Sequence, residues 1–310
     1  DLKQMHQQST SFSASDIKQG IVDIYSASTQ NSAGGAPYLN VLDYAYMFRN
    51  RADQYHFLYS PASQRLLRDP YEKRHGLKFL FSHAELRGLQ MGMNFEDKPT
   101  VTSVEELAGT KNRVTGTQLG RIAMEALNLN PVPVAWEETL DGLKQGLIDG
   151  AETWASAVAY ANMAPVVSQS VHLNFFCGTE ATSMNAGVFD SLEGYLQDAV
   201  MESAYWAQTH VQAANEVALI NTVGQSDPQL PNTIFAQNNV RNAFLSAAEI
   251  KKAEEMCSPE YQPALWEEWR ERLNGWSGGL DTYQEIYDEV RTIDGNTLPE
   301  NVEPRRWWKG

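Results

Sequence analysis

The sequence predicts an α/β fold, on three observations. Over the first two-thirds of the chain, short β-branched or aromatic runs alternate with stretches of helical periodicity, the pattern left by interleaved strands and helices. Residues 112–127 read as strand, turn and helix in that order. The last third changes to long helical patterns with few strand signals.

The elements follow in chain order. Ile21-Val22-Asp23-Ile24-Tyr25 reads as the first strand, and SASTQNSAGGAP behind it breaks all periodicity and reads as a loop. Residues 61–71 carry a polar helical pattern, and Leu77-Lys78-Phe79-Leu80-Phe81 makes a second strand. Thr102-Ser103 with Glu105-Glu106 is an N-cap with first-turn acids; it opens a short helix over 101–107 that Gly109 ends. Asn112-Arg113-Val114 is a brief strand and Thr115-Gly116-Thr117 a turn. Leu119, Ile122, Ala123, Ala126 and Leu127 then recur at i, i+3, i+4, i+7 and i+8, one face of a helix. After a loop, Val132-Pro133-Val134-Ala135-Trp136 reads as an edge or irregular strand, because its proline has no N–H for a ladder. Leu140, Leu143, Leu147 and Ile148 form a further helix, closed by Gly146 and Asp149-Gly150. Residues 191–222 carry a helical pattern without Gly or Pro after Gly194, well beyond the ~11-residue average and long enough to bridge two lobes. Residues 247–273 are again helical, with Trp266 and Trp269 on one face, and the tail ends Arg305-Arg306-Trp307-Trp308.

Composition excludes several classes of function. The 310 residues are 42% hydrophobic and 20% charged, which is ordinary for a soluble globular chain. Lys and Arg number 24 against 39 Asp and Glu, a formal charge of −15, so the surface repels nucleic acid backbones and anionic bilayers. No run approaches the ~20 apolar residues of a membrane span, and the N-terminus lacks a basic segment followed by an apolar core, so the expectation is a soluble chain whose export signal has been removed. Cys177 and Cys257 read as buried free thiols, with a disulfide as the alternative.

Catalytic and metal patterns are absent from the sequence. The six histidines are His6, His56, His75, His83, His172 and His210, and no two stand at the i, i+4 spacing of a zinc helix. There is no G-x-S-x-G elbow, no phosphate-binding P-loop and no G-x-G-x-x-G after a strand. The pairs Glu105-Glu106, Glu137-Glu138 and Glu254-Glu255 are adjacent on helices and so diverge instead of forming an acid/base dyad. No cofactor and no metal is expected. Arg113 is the first candidate: it ends a strand at a turn into a helix, where a guanidinium joins free backbone N–H groups in an anion site and grips a carboxylate by two parallel hydrogen bonds. Its competing reading is a surface arginine paired with one of the many acids. Asp149-Gly150-Ala151-Glu152-Thr153-Trp154 is the second, a carboxylate, a hydroxyl and an indole N–H at a break in periodicity. Its bland alternative is a helix end entering a strand with Trp154 in the core, and core packing is equally the simple reading of Trp136.

These residues stand in an order that resembles a known family. Leu107, Gly109, Lys111, Arg113, Val114, Asn130, Pro131, Pro133, Trp136, Glu137, Leu143, Gly146, Ile148, Asp149, Gly150 and Glu152 match the extracytoplasmic solute receptors of TRAP transporters, the DctP family. Weaker likeness extends to IKQGIVDIYSAS, to MNAGVFDSL and to the helix ending ALWEEW, so it covers most of the chain up to about Val290. The resemblance implies a type II periplasmic-binding-protein fold: two α/β lobes, a ligand cleft between them and a long helix spanning both. It implies lobe I over residues 1–90 and 179–215, lobe II over 91–178 and 216–290, and a C-terminal tail over 291–310. Arg113 stands where the family's carboxylate-clamping arginine stands, Trp136 at a cleft aromatic, Thr153 at a ligand-touching amide position with Trp154 after it, and Tyr25 to Ser28 at a strand end facing the cleft. Asn94 and Thr153 are then expected to hydrogen-bond polar groups, and Trp136 with Trp154 to wall the pocket.

Two departures shape that expectation. Many members carry a second arginine shortly before the clamp's helix; here that stretch reads Gly92-Met93-Asn94-Phe95 and Arg87 stands earlier, so a monoanion with a neutral or apolar remainder fits better than a dicarboxylate. The family also places a strand, a helix and a strand ahead of the segment matching Ile21 to Ile24, where this chain has about twenty residues. The function implied is capture of a small organic acid anion, a monocarboxylate, in the periplasm, and its delivery to TRAP membrane subunits, with no nucleic acid partner and no stable membrane insertion. The alternatives are an enzyme of organic acids, a hydrolase or lyase, on a similar frame, and the ligand-sensing domain of a receptor.

Overall fold

The computed structural model describes residues 14–115 and 117–309. The N-terminal start of the lobe I reading, His6 and the turn residue Gly116 lie outside them. The strands form one sheet in the order β1-β6-β2-β5-β3-β4, with β7 also on β6: β1 Ile24–Ser28, β2 Leu77–Gly92, β3 Lys111–Val114, β4 Asn130–Pro133, β5 Gly150–Thr153, β6 Val167–Asn185 and β7 Arg241–Phe244. The long strands β2 and β6 pair antiparallel along most of their length and carry everything else. At one end β1 adds to the C-terminal part of β6; at the other, β2 passes to β5, which lies parallel to β3, and β3 parallel to β4.

Several elements stand where periodicity puts them. Thr117 caps the helix Gln118–Ala126 by accepting from the Gly120 N–H, and Leu119, Ala123 and Met124 are its buried face. Ser103 and Glu106 form a capping box on the turn Val104–Leu107. The helix Gly194–Ala218 continues through a wider turn, Leu219–Val223. Met201, Ala204 and Tyr205 belong to the larger hydrophobic core, whereas Leu219 and Val223 belong to a second core with Leu143, Ile148, Val158, Val167 and Phe235. One helix therefore ties both cores together.

Other elements differ from expectation for identifiable reasons. The first strand starts at Ile24, not Ile21, because the Ile21 N–H closes the turn after the helix Ala14–Lys18 by donating to the Asp16 carbonyl at 3.0 Å. The expected loop behind it holds the end of β1 and a helical turn, Thr29–Ser32, capped by Ser28, so hydroxyl-rich residues here build structure through side-chain bonds. Trp136 is not on a strand; β4 stops at Pro133 and Trp136 opens a tight turn, Trp136–Glu138. Residues 247–273 are two helices, Ala247–Cys257 and Pro263–Trp276, the second opened by a proline at its first position. The tail is anchored: Trp307 is buried with the Arg68 guanidinium 4.3 Å from its ring centroid. Cys177 and Cys257 are buried free thiols.

Candidate functional site

A cavity of about 540 Å³ opens between the β1 end of the sheet and the β3–β5 end. Tyr25 to Ser28 of β1, Asn31 and Ser32 line one side; Arg113, Thr115, Trp136 and Glu137 line the other; Arg87, Thr153, Trp154, Tyr160 and Glu180 close it from β2, β5, the following helix and β6. Thr115, directly after β3, donates its hydroxyl to the Gln30 side-chain oxygen at 2.6 Å, linking the two sides. A separate groove of about 480 Å³ beside the long helix, lined by Ile24, Leu80, Phe81, Leu196 and Val200, presents no charged side chain and has nothing with which to hold an ion.

Arg113 is held in place by register. β3 pairs it with Val132 of β4 and Ala151 of β5, so its side chain starts from the middle of three strands. The guanidinium donates to the Val134 carbonyl at 3.2 Å and to the Glu152 carbonyl at 3.3 Å, and its carbon lies 5.3 Å from the Trp136 ring centroid. The residue is 3% exposed, yet no carboxylate among the described residues forms an ion pair with it. Burial lowers its pKa to about 10, only partly opposed by Glu152, so it carries a full positive charge at neutral pH. A desolvated cation without a counter-ion is costly to bury, and an anion entering the cavity would relieve it.

Arg87 presents the opposite case. Its Nη2 donates to Glu152 Oε2 at 2.8 Å and its Nε to Oε1, with both side chains buried. The guanidinium carbon lies 5.2 Å from the Trp154 ring centroid. Burial acts to lower the Arg87 pKa, but the Glu152 charge and bonds outweigh it and the net shift is upward. The cavity thus contains two arginines, one satisfied within the protein and one left open.

Of the seven residues singled out from sequence, the fold brings Tyr25, Arg113, Trp136, Thr153 and Trp154 onto one cavity. Glu152 and Asn94 are elsewhere. Glu152 is fully buried beneath the lining as the partner of Arg87, and Asn94 donates to Asp149, whose carboxylate also accepts the Lys111 N–H at 2.7 Å. Tyr25 donates its hydroxyl to Ser32 at 3.0 Å. The Trp136 ring packs 6.3 Å from that of Tyr160, an aromatic wall at the mouth. Trp154 buries an indole N–H that has no hydrogen-bond partner among the described residues. It packs against Gly178 so closely that a Cβ there would lie 2.2 Å from Trp154 Nε1 and 2.6 Å from Arg87 Cδ; only glycine leaves room for both side chains.

Sequence reasoning missed Glu180 and placed Arg87 too early to contribute. Both sit in strands far longer than their apolar runs: β2 continues eleven residues past Phe81 to Gly92, and β6 was not delineated. The available signal was charge inside an apolar alternation, Glu85 and Arg87 two apart in FLFSHAELRGLQMG and Glu180 in FFCGTEATSM. Burial pushes the Glu180 carboxyl up to about 7, with Arg87 drawing it partly back. Among the described residues no group of three or more His, Cys, Asp or Glu side chains could hold a metal ion, and no helix is long and apolar enough to cross a membrane.

Comparison with known proteins places this geometry. The family described as bacterial extracellular solute-binding protein, family 7 (DctP), matches residues 10–263. The 2,3-diketo-L-gulonate-binding periplasmic protein YiaO of Escherichia coli K12 is 26% identical over 253 residues, 77% of this chain and 75% of that protein. Among solved structures, a TRAP periplasmic solute-binding protein from Ralstonia eutropha with bound (S)-2-acetolactate superposes with a TM-score of 0.70 at 17% identity, covering 92% of this chain and 84% of that one. The ectoine-binding protein of the TeaABC TRAP transporter from Halomonas elongata gives a TM-score of 0.71 at 19% identity, covering 90% and 85%. At such identities the structures establish the shared fold, that of TRAP periplasmic binding proteins.

Proposed function

The chain belongs to the bacterial extracellular solute-binding proteins of family 7, the DctP family, and on that basis we propose that it captures a small organic acid anion, a monocarboxylate, through an Arg113 clamp. The observation that carries this reading is the buried guanidinium of Arg113, aimed at a cavity and without an ion-pair partner, next to Arg87 whose charge Glu152 already answers. One open positive charge matches one carboxylate. Trp136 and Trp154 wall the ligand, and Thr153 and Tyr25 offer hydroxyls along its length. Solutes named for related proteins, 2,3-diketo-L-gulonate, acetolactate and ectoine, differ in size and polarity but each carries one carboxylate, in ectoine beside a cationic ring, which supports a carboxylate clamp and leaves the remainder to this chain's own lining.

In this reading residues 1–90 with 179–215 and residues 91–178 with 216–290 are two lobes that close on the ligand, the tail 291–310 bracing the first. The protein works in the periplasm and hands its ligand to TRAP membrane subunits. The family consists of receptors for transporters, which favours binding over turnover. Mass spectrometry of the small molecule released on denaturing the purified protein, followed by a thermal-shift screen of organic acids, tests the proposal. A single unchanged monocarboxylate that stabilises the wild type and not Arg113→Ala is expected; a dicarboxylate, a cation, or a shift that survives the substitution overturns it.

A further inference from the structure

The side chain of Glu180 is one that the protein does not satisfy by itself. It lines the cavity from β6, where its neighbours in register are Ser28 on β1 and His83 on β2, and neither bonds it. The cation whose charge bears on it, Arg87, is occupied by the two-pronged pair with Glu152. It forms no hydrogen bond and no ion pair with any described residue, while burial penalises its charged form. A half-buried carboxyl without a donor from the protein contributes little to stability, so replacing it by an apolar group of similar size should leave folding intact or improve it.

We infer that Glu180 is a specificity-determining residue that accepts a hydrogen bond from a hydroxyl group on the ligand, so that the anion clamped by Arg113 is a hydroxylated acid. The inference rests on the proposed function and adds a second anchor of a different chemistry. Once a ligand displaces water from the cavity, the donor has to come from the ligand, because the described residues of the wall supply none to this carboxyl. The donor is taken to be a neutral hydroxyl instead of an ammonium because hydroxyl and amide groups dominate the lining around Glu180, with Glu137 the one other carboxylate among its described residues. The lining agrees: Ser26, Ser28, Asn31, Ser32, Thr115 and Thr153 bring hydroxyl and amide groups that can serve further hydroxyls, while Trp136 and Tyr160 offer ring faces to the C–H side of a carbon chain.

The test uses three six-carbon probes with one carboxylate each, gluconate, hexanoate and 6-aminohexanoate, titrated calorimetrically into wild type, Glu180→Gln, Glu180→Leu and Arg113→Ala. Wild type is expected to bind gluconate at least tenfold more tightly than either of the others. Glu180→Leu should bring the gluconate-to-hexanoate ratio down at least tenfold while its ligand-free melting temperature equals or exceeds that of wild type, and Glu180→Gln, which keeps an acceptor oxygen, should fall between. Wild type that shows no preference for gluconate, or a ratio unchanged in Glu180→Leu, overturns the inference, and tighter binding of 6-aminohexanoate overturns the choice of a hydroxyl. Failure of the underlying reading looks different: gluconate then binds Arg113→Ala as tightly as it binds wild type.

Discussion

Replacing Arg113 by alanine removes the only part of the cavity wall, among the described residues, that offers an anion a full, uncommitted positive charge. In the ligand-free protein the guanidinium forms two long bonds, 3.2 and 3.3 Å, to the carbonyls of Val134 and Glu152, and pays no Coulomb debt to a carboxylate. Its loss there removes two ordinary hydrogen bonds and one desolvated cation, opposing contributions that should leave stability within about 1 kcal/mol of wild type. With ligand the account changes. A bidentate guanidinium–carboxylate contact consists of two charge-assisted bonds, and deleting one partner of a buried pair costs roughly 3–5 kcal/mol. At about 1.4 kcal/mol per tenfold, Kd should rise between about a hundred and a few thousand-fold. Arg113→Lys should recover only part of this, since an ammonium cannot make two parallel bonds. Isothermal titration with the acid recovered from the purified protein reads Kd, and thermal denaturation without ligand reads the other half. A Kd within tenfold of wild type refutes the clamp; a large loss of ligand-free stability would make Arg113 a structural residue instead.

Three further outcomes follow from the same geometry. Gly178→Ala puts a methyl 2.2 Å from Trp154 Nε1 and 2.6 Å from Arg87 Cδ, so both side chains must move; a loss of about 1–3 kcal/mol by chemical denaturation with weakened ligand binding is expected, and a wild-type midpoint would show that the contact is not enforced. Glu152→Gln and Arg87→Met each leave an uncompensated buried charge, at roughly 3–5 kcal/mol, whereas the double substitution should recover much of the loss; additive losses in the double-mutant cycle would exclude the coupling. His83 and His172 have pKa values lowered to about 4 by burial, so both should be neutral at pH 5.5 by imidazole NMR. Because the unfolded chain takes up these protons near 6.5, they make stability fall as pH drops from about 6.5 towards 4; rings protonated at pH 5.5 would contradict their burial.

Legibility in the sequence followed the range of the forces involved. Arg113 stood out because a strand, a turn and a capped helix follow one another within fifteen residues, and local hydrogen bonding determines all three. The ordered match from Leu107 to Glu152 reached the same stretch, where the family's fold and the role of a receptor could be recognised. The fold sets Asn94 and Glu152 off the cavity lining for the same reason that it brings Arg87 onto it: a residue's distance from a site along the chain says nothing about which strand register carries it there.

Sequence alone determined the α/β class, the long helix that joins the two cores, the capped helix behind Arg113 and the net charge of −15, since each depends on periodicity, caps or composition. Tertiary structure decided which charges are free. β2 and β5 set Arg87 against Glu152 across 65 residues of chain and so silence it, whereas among the described residues Arg113 on β3 has only the carbonyls of Val134 and Glu152 as hydrogen-bond partners and Glu180 on β6 has no donor. The pairing of a buried charge is a property of three-dimensional register, and register between distant strands is written in packing that no local pattern contains.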